Sequence, residues 1–412
     1  MTHIVLERSL KGKEKSLLHH ACPSGRLAVV CDLHTREALG QRILSQLSGD
    51  DYVEIILPSP LLACMSVVTM LRQRADGCSA YVAIGSGTMN DLCKYAAFLD
   101  KKPYVVFATA PSMNGYLSPS ASLMMDTPHT PHSHAHKESV QAQPPTHLFA
   151  DLEVLAAAPM RLIQSGLGDS LCRATAQTDW HMSHLLLNTP YDARPFEQLA
   201  HYEERVFADA EKLLSRDVDT VECLMKMLLI SGEGMQLAGG SYPASQGEHM
   251  IAHAYELLAH SSGYEASHVH AQPYHGELIA VTTLEMGRLQ QDFLTLAELP
   301  PSTPSPYNTD IMHDVFGASS IAFANAYHQK MELFFKHANQ VTQRWSDARK
   351  ILLPHIISSE RLHEILDAAG MAATPDDLGL HVEHFHTARN LAAFTRERFT
   401  FLDVEKNYPL PR

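Results

Sequence analysis

Four short, near-continuous apolar runs restrict this chain's fold more than any other feature. They are Leu27-Ala-Val-Val-Cys31, Val53-Glu-Ile-Ile-Leu57, Ala80-Tyr-Val-Ala-Ile84 and Tyr104-Val-Val-Phe-Ala108, with helical stretches between them. Strands apolar on both faces belong in a parallel sheet covered by helices, since a sheet with one wet face would alternate. From about Asp151 onward such runs stop. Helical periodicity takes over in 153–189, 194–214, 218–239, 246–260, 275–297, 309–349, 358–369 and 381–398. The expectation is an α/β, Rossmann-like parallel-sheet domain over 1–152 and an all-helical domain over 153–412. The active site is expected in the cleft between the halves. At 412 residues the chain is too long for one core, which agrees with two domains.

Composition narrows the partners. A formal net charge of −14 argues against a nucleic-acid or anionic-membrane surface and leaves a small molecule as the expected partner. A homo-oligomer stays open. The seven cysteines are odd in number and form no C-x-x-C pair, which reads as reduced thiols in a cytoplasmic protein. The start, Met-Thr-His-Ile-Val-Leu-Glu-Arg, lacks the layout of a signal peptide, and no apolar run approaches the ~20 residues of a membrane helix.

Ligands of open α/β sheets bind beyond the carboxyl ends of strands. The first run ends in Asp32, a carboxylate suited either to a ribose hydroxyl or to a helix cap. The third runs into Gly85-Ser-Gly87-Thr88-Met89-Asn90-Asp91, a strand, glycine turn and helix start. That layout offers backbone N–H groups to a pyrophosphate, although the third glycine of the usual fingerprint is missing. The fourth ends in Thr109-Ala110-Pro111-Ser112-Met-Asn114-Gly-Tyr-Leu-Ser118, which places hydroxyls and an amide on the same rim.

Histidines are the second theme. His249 and His253 lie one turn apart in the 246–260 helix, with Gly168-Asp169 upstream and His275-Gly276-Glu277 downstream. One imidazole can face a metal and the other whatever the metal holds, and two His plus one Asp leave a coordination position open. Spacing alone is uninformative. With 26 His in the chain, chance gives roughly 1.6 pairs four apart, and two exist, His132/His136 and His249/His253. The tract His129-Thr-Pro-His132-Ser-His134-Ala-His136 reads as a proline-stiffened polar loop, with an accessory metal tract as the alternative.

Taken in order, several segments resemble the glycerol-1-phosphate dehydrogenase branch of the iron-containing alcohol dehydrogenase and dehydroquinate synthase-like superfamily. They are Gly85 to Lys94, Thr109 to Tyr116, Ala158-Pro-Met-Arg161 with Gly166-Leu-Gly-Asp169, Trp180 and Gly240-Ser-Tyr-Pro-Ala-Ser245. Glu248-His-Met-Ile-Ala-His253, His275-Gly-Glu277 and Arg396-Glu-Arg-Phe-Thr-Phe-Leu-Asp403 complete the set. The resemblance implies that Asp169, His249 and His275 hold one divalent metal, zinc foremost with nickel or iron also fitting. It implies that His253 is catalytic and touches substrate together with Asn114 and Asp169. Gly87 to Asp91, Thr109 to Ser112 and Ser118 would hold NAD(P), joined by Asp32 and Gly85 from their places at the strand ends. The family reduces a ketone such as dihydroxyacetone phosphate to the secondary alcohol. Two positions depart from its pattern: Asn114 stands for the usual Asp, and Tyr242 for the usual Arg, exchanging a bidentate cation for a phenol. The alternatives are a carbocycle-forming lyase of dehydroquinate synthase type, which has Glu where this chain has Asp169, and a non-catalytic nucleotide- and metal-binding relative.

Overall fold

The computed structural model describes residues 2–58, 61–125, 136–261, 273–317 and 319–410. Six parallel strands form one sheet: β1 (His3–Glu7), β2 (Leu27–Cys31), β3 (Tyr52–Ile56), β4 (Ala80–Gly85), β5 (Tyr104–Ala108) and β8 (His147–Asp151). Their order is β1-β8-β5-β4-β2-β3, and β6 (Ser120–Met125) pairs with β7 (His136–Gln141) in a separate two-stranded sheet.

All four apolar runs are strands. β2, β4 and β5 are buried along their whole length. β1 and β8 carry a weaker signal. β1 is an edge strand, only partly buried, and β8 has three apolar residues between polar ends. β8 is nevertheless central, held in register between β1 and β5.

The winding reverses at β2. Its neighbours are β3 on one side and β4 on the other, so a crevice opens beyond the carboxyl ends of β2 and β4. Asp32 and the Gly85–Gly87 turn stand at those two ends. Beneath them Val29, Val82, Ile84, Val105 and Phe107 are buried, and the Phe107 and Phe149 rings lie 4.8 Å apart. Burying each such side chain contributes about 1.5–3 kcal/mol.

Beyond β8 the regular elements among the described residues are all helices. The expected 153–189 helix is two, Leu152–Ala157 and Met160–Leu187, because Pro159 cannot donate back to the preceding turn. The 309–349 helix is likewise split into Thr309–Phe316 and Ser319–Leu352, with Gly317 at φ +55 closing the first. The 381–398 helix stops at Leu391, and Phe401–Asn407 adds a turn that periodicity missed. No helix among the described residues is long and apolar enough to cross a membrane. Residues 129–135 of the histidine tract lie outside the described set.

The chain divides into two compact units. One comprises Met1–Asp126, Lys137–Leu167 and Leu199–Gln236, the other Thr127–His136, Gly168–Gln198 and Leu237–Arg412. No single cut separates them, whereas the sequence reading placed one boundary between 152 and 153. In the second unit the Gly247–Ser261 helix packs on the His275–Thr295 and Val382–Leu391 helices.

Phe107 joins β5 to β8 through the sheet core, so Phe107→Ala should lower unfolding stability by about 3–5 kcal/mol. Urea titration checks this, and an unshifted midpoint would contradict the packing described.

Candidate functional site

The second unit gathers Asp169, His249, His253 and His275. A backbone contact makes this possible: a Cβ on Gly168 would lie 2.1 Å from the carbonyl oxygen of Gly276. Only glycine lets the Met160–Leu187 and His275–Thr295 helices meet so closely. Asp169 follows one partner of that contact, and His275 precedes the other. The third contributor, His249, sits in the first turn of the Gly247–Ser261 helix. Asp179 fixes that helix start by accepting from Gly247 N (3.1 Å), while its other oxygen accepts from Phe401 N (2.9 Å). Burial and then the Glu248 charge push the Asp179 carboxyl up to about 8.

Ligand atoms of Asp169, His249 and His275 all lie within 4.8 Å of one another, with His249 Nε2 3.7 Å from Asp169 Oδ1. Each imidazole has a carboxylate behind it. His249 Nδ1 is 3.0 Å from Glu248 Oε1, and His275 Nδ1 is 3.2 Å from Glu256 Oε1. This places the ring proton on Nδ1 and the lone pair on Nε2, the orientation of a metal-ligating histidine. Burial lowers His249 against the pull of Glu248, so the ring is neutral, as a ligand must be. Burial alone would raise Glu248, but the His249 contact and the Gln246 N–H (2.7 Å) bring it below its usual value. Thr175 Oγ1 donates to its second oxygen at 2.9 Å.

Two overlapping trios share these residues, Cys172 with Glu248 and His249, and His253 with Glu256 and His275. Neither matches a cation as well. Burial, then the Glu248 and Asp169 charges, push the Cys172 thiol well above its usual range, and it donates to the carbonyls of Asp169 and Ala244. Glu256 is engaged on His275, and His253 Nδ1 meets a cation, Arg396 Nη2, at 2.7 Å. A carboxylate and two carboxylate-backed imidazoles, largely buried, form the set that fits a borderline divalent ion.

The three rings form a triangle, with centroids 5.3 Å apart for His249 and His275, 5.7 Å for His249 and His253, and 5.6 Å for His253 and His275. Arg396 also donates to Ser245 Oγ at 3.1 Å. Arg398 donates to Ser245 O and, at 2.9 Å, to Ser241 Oγ. Its guanidinium lies 4.5 Å over the Tyr242 ring, which also stacks on Trp180 with centroids 5.8 Å apart. The phenol at the family's arginine position thus carries a guanidinium from elsewhere in the chain.

Sequence reasoning missed Glu248, Glu256, Asp179, Arg396 and Arg398. Glu248 and Glu256 flank His249 on one helix, a usable signal, and both arginines lie in the closing stretch, which carried no role. Asp179 had no signal.

The first unit gathers the remaining positions around the ends of β2, β4 and β5. Gly85 allows the helix to start tightly, since a Cβ there would lie 2.5 Å from Met89 Cβ. Asn90 N already bonds Ser86 O at 2.8 Å, so the first-turn donors are the N–H groups of Gly87, Thr88 and Met89. Asn90 and Asp91 face the protein instead. Asn90 accepts from Tyr104 Oη (2.8 Å) and Asp91 from Ser122 N (3.1 Å). Asp32 caps its own turn through Thr35 N, using Oδ1. Thr109, Ala110, Pro111, Ser112, Asn114 and Ser118 line a buried loop. Fully buried Lys94 staples that loop, bonding the carbonyls of Gly115 (2.6 Å), Ser118 (3.2 Å) and Ser120 (3.1 Å).

Residues 5–159 match the iron-containing alcohol dehydrogenase family. A glycerol-1-phosphate dehydrogenase [NAD(P)+] of Sulfolobus acidocaldarius is 31% identical over 267 residues, 64% of this chain and 70% of that one. Another, from Halalkalibacterium halodurans, is 28% identical over 289 residues, 68% of this chain and 66% of the relative. The crystal structure of a probable glycerol dehydrogenase from Sinorhizobium meliloti has the same fold, with TM-score 0.63, 18% identity and coverage of 98% of this chain and 92% of that one.

Gly168→Ala places a methyl group against the Gly276 carbonyl and should part the helices carrying Asp169 and His275. Elemental analysis after metal loading should show lost metal, and the variant should melt earlier, as overpacking of at least ~1–3 kcal/mol requires. Full metal and an unchanged melt would refute the contact's role.

Proposed function

The chain belongs to the glycerol-1-phosphate dehydrogenase family within the iron-containing alcohol dehydrogenases, and on that premise we propose that it is a metal-dependent NAD(P)H oxidoreductase. Its proposed reaction interconverts a phosphorylated ketone and the secondary alcohol, dihydroxyacetone phosphate and glycerol 1-phosphate being the pair that the relatives' names suggest. The observation that carries this reading is the convergence of Asp169, His249 and His275, both imidazoles backed by carboxylates.

Asp169, His249 and His275 would hold the divalent cation, which supplies Lewis acidity toward a carbonyl oxygen. Zinc, nickel and iron all suit this donor set. The first-turn N–H groups of Gly87, Thr88 and Met89 would bind the pyrophosphate of the dinucleotide, whose reduced ring supplies the hydride. In the balance, the carbonyl carbon gains a hydride and its oxygen a proton. His253, on the same helix face as His249, would contact the reacting oxygen. Asn114 would offer the substrate an amide where the family resemblance implies a carboxylate, and the Arg398 guanidinium over Tyr242 retains positive charge in the second unit.

The assay is NADH or NADPH oxidation, followed as absorbance lost at about 340 nm, with dihydroxyacetone phosphate and unphosphorylated ketones, in chelator-stripped and metal-restored protein. Turnover should vanish on stripping and return with metal. Asp169→Ala and His249→Ala should lose both metal and turnover. Glu256→Ala should weaken metal affinity about 10–100-fold. His253→Ala should retain metal while kcat falls about 10²–10⁴-fold. Tight dinucleotide binding without turnover on any ketone would leave a binding protein and sink the enzymatic reading.

A further inference from the structure

We propose that Arg396 locks His253 as the neutral tautomer with its proton on Nε2, so that His253 serves the reacting oxygen as a fixed hydrogen-bond donor and not as the source of the transferred proton. The inference deepens the reductase reading and rests on it for the identity of the oxygen.

A guanidinium has five N–H donors and no acceptor. The 2.7 Å contact between Arg396 Nη2 and His253 Nδ1 therefore has one polarity: the arginine donates, and Nδ1 supplies the lone pair. The single proton of a neutral ring is then on Nε2. An imidazolium there would set N–H against N–H and one cation against another inside a buried site.

Arg396 is not free to turn away. Ser245 Oγ accepts from its Nη1, and the carboxylates of Glu397, Glu248 and Glu256 offset its charge. Burial, reinforced by Arg398, lowers the guanidinium to about 10, which leaves it cationic at neutral pH.

The same logic sorts the whole triangle. His249 and His275 have carboxylates on Nδ1, hold their protons there, and present bare Nε2 atoms. His253 has a guanidinium on Nδ1 and presents N–H. The group behind each ring thus sets which of its nitrogens carries the proton. A neutral imidazole polarising a carbonyl by hydrogen bonding is an established catalytic device. The balance follows: hydride adds to the carbonyl carbon, the resulting alkoxide takes its proton from solvent, and the Nε2 proton of His253 stays in place. Arg396 is accordingly a positioning residue that acts through His253.

The test is a two-bond 1H–15N correlation spectrum of metal-free, 15N-histidine-labelled protein, with His253 identified by its loss in His253→Gln. The expected pattern is a pyridine-like Nδ1 and a pyrrole-like Nε2. Arg396→Lys, which also only donates, should preserve that pattern and keep kcat within about 10-fold. Arg396→Glu, an acceptor, should move the proton to Nδ1 and cut kcat about 10²-fold or more with metal content and KM little changed. A protonated Nδ1 in the unaltered protein overturns the proposal whatever the activity, and does so even if the glutamate variant fails to fold. The expected pattern in a protein without ketone turnover would uphold the tautomer and overturn the reductase reading instead.

Discussion

The candidate site depends on two backbones touching. Where Gly168 meets the Gly276 carbonyl, any side chain would hold the helices apart by roughly the width of a methyl group. Three donors must share one ion of about 2 Å bond length, so that width decides whether the set is a site or three unrelated residues. Asp179 works alongside this contact. It fixes the start of the helix bearing His249 and ties it to Phe401. The geometry of the candidate trio is therefore set by glycines and by a buried cap, none of which belongs to the trio.

Charge is the second constraint. Glu248, Arg396 and Arg398 are all buried in the second unit, an arrangement that costs free energy unless each group is paired. Glu248 shows the pairing fully: a ring N–H, a backbone N–H and a hydroxyl converge on its two oxygens. Three imidazoles within 6 Å of one another are thus backed by groups of opposite charge, so they differ in which nitrogen faces inward. A hydrophobic core would be cheaper, and the retained charge fits a site better than a scaffold.

Much of the fold could be read in the sequence, because buried parallel strands have to be apolar throughout, as β2, β4 and β5 are. β1 and β8 escaped for the same reason. An exposed edge relaxes the requirement, and a five-residue strand with polar ends offers too few apolar positions. The metal trio was reachable only by resemblance, since a pair of histidines four apart arises by chance at this histidine content. Arg396 was invisible in another way. Its partner lies 143 residues away, and nothing local in either segment states which ring it will back. Among the dinucleotide positions, Asn90 and Asp91 fitted the motif, yet their side chains hold Tyr104 and Ser122, which leaves the cradle to backbone N–H groups.

The Asp179 link has a consequence for how the molecule is made. Its partner Phe401 lies 222 residues further on, and Arg396 lies 151 residues beyond Ser245. Chains emerge from the ribosome at about 5–20 residues per second, amino end first. For several seconds the three imidazoles and Asp169 have been synthesised while the segment that ties Asp179 and backs His253 has not. A nascent chain at that stage offers loose histidines to any passing ion. On the proposed reading, selective loading of a cation waits until residues 396 to 403 have been translated and docked.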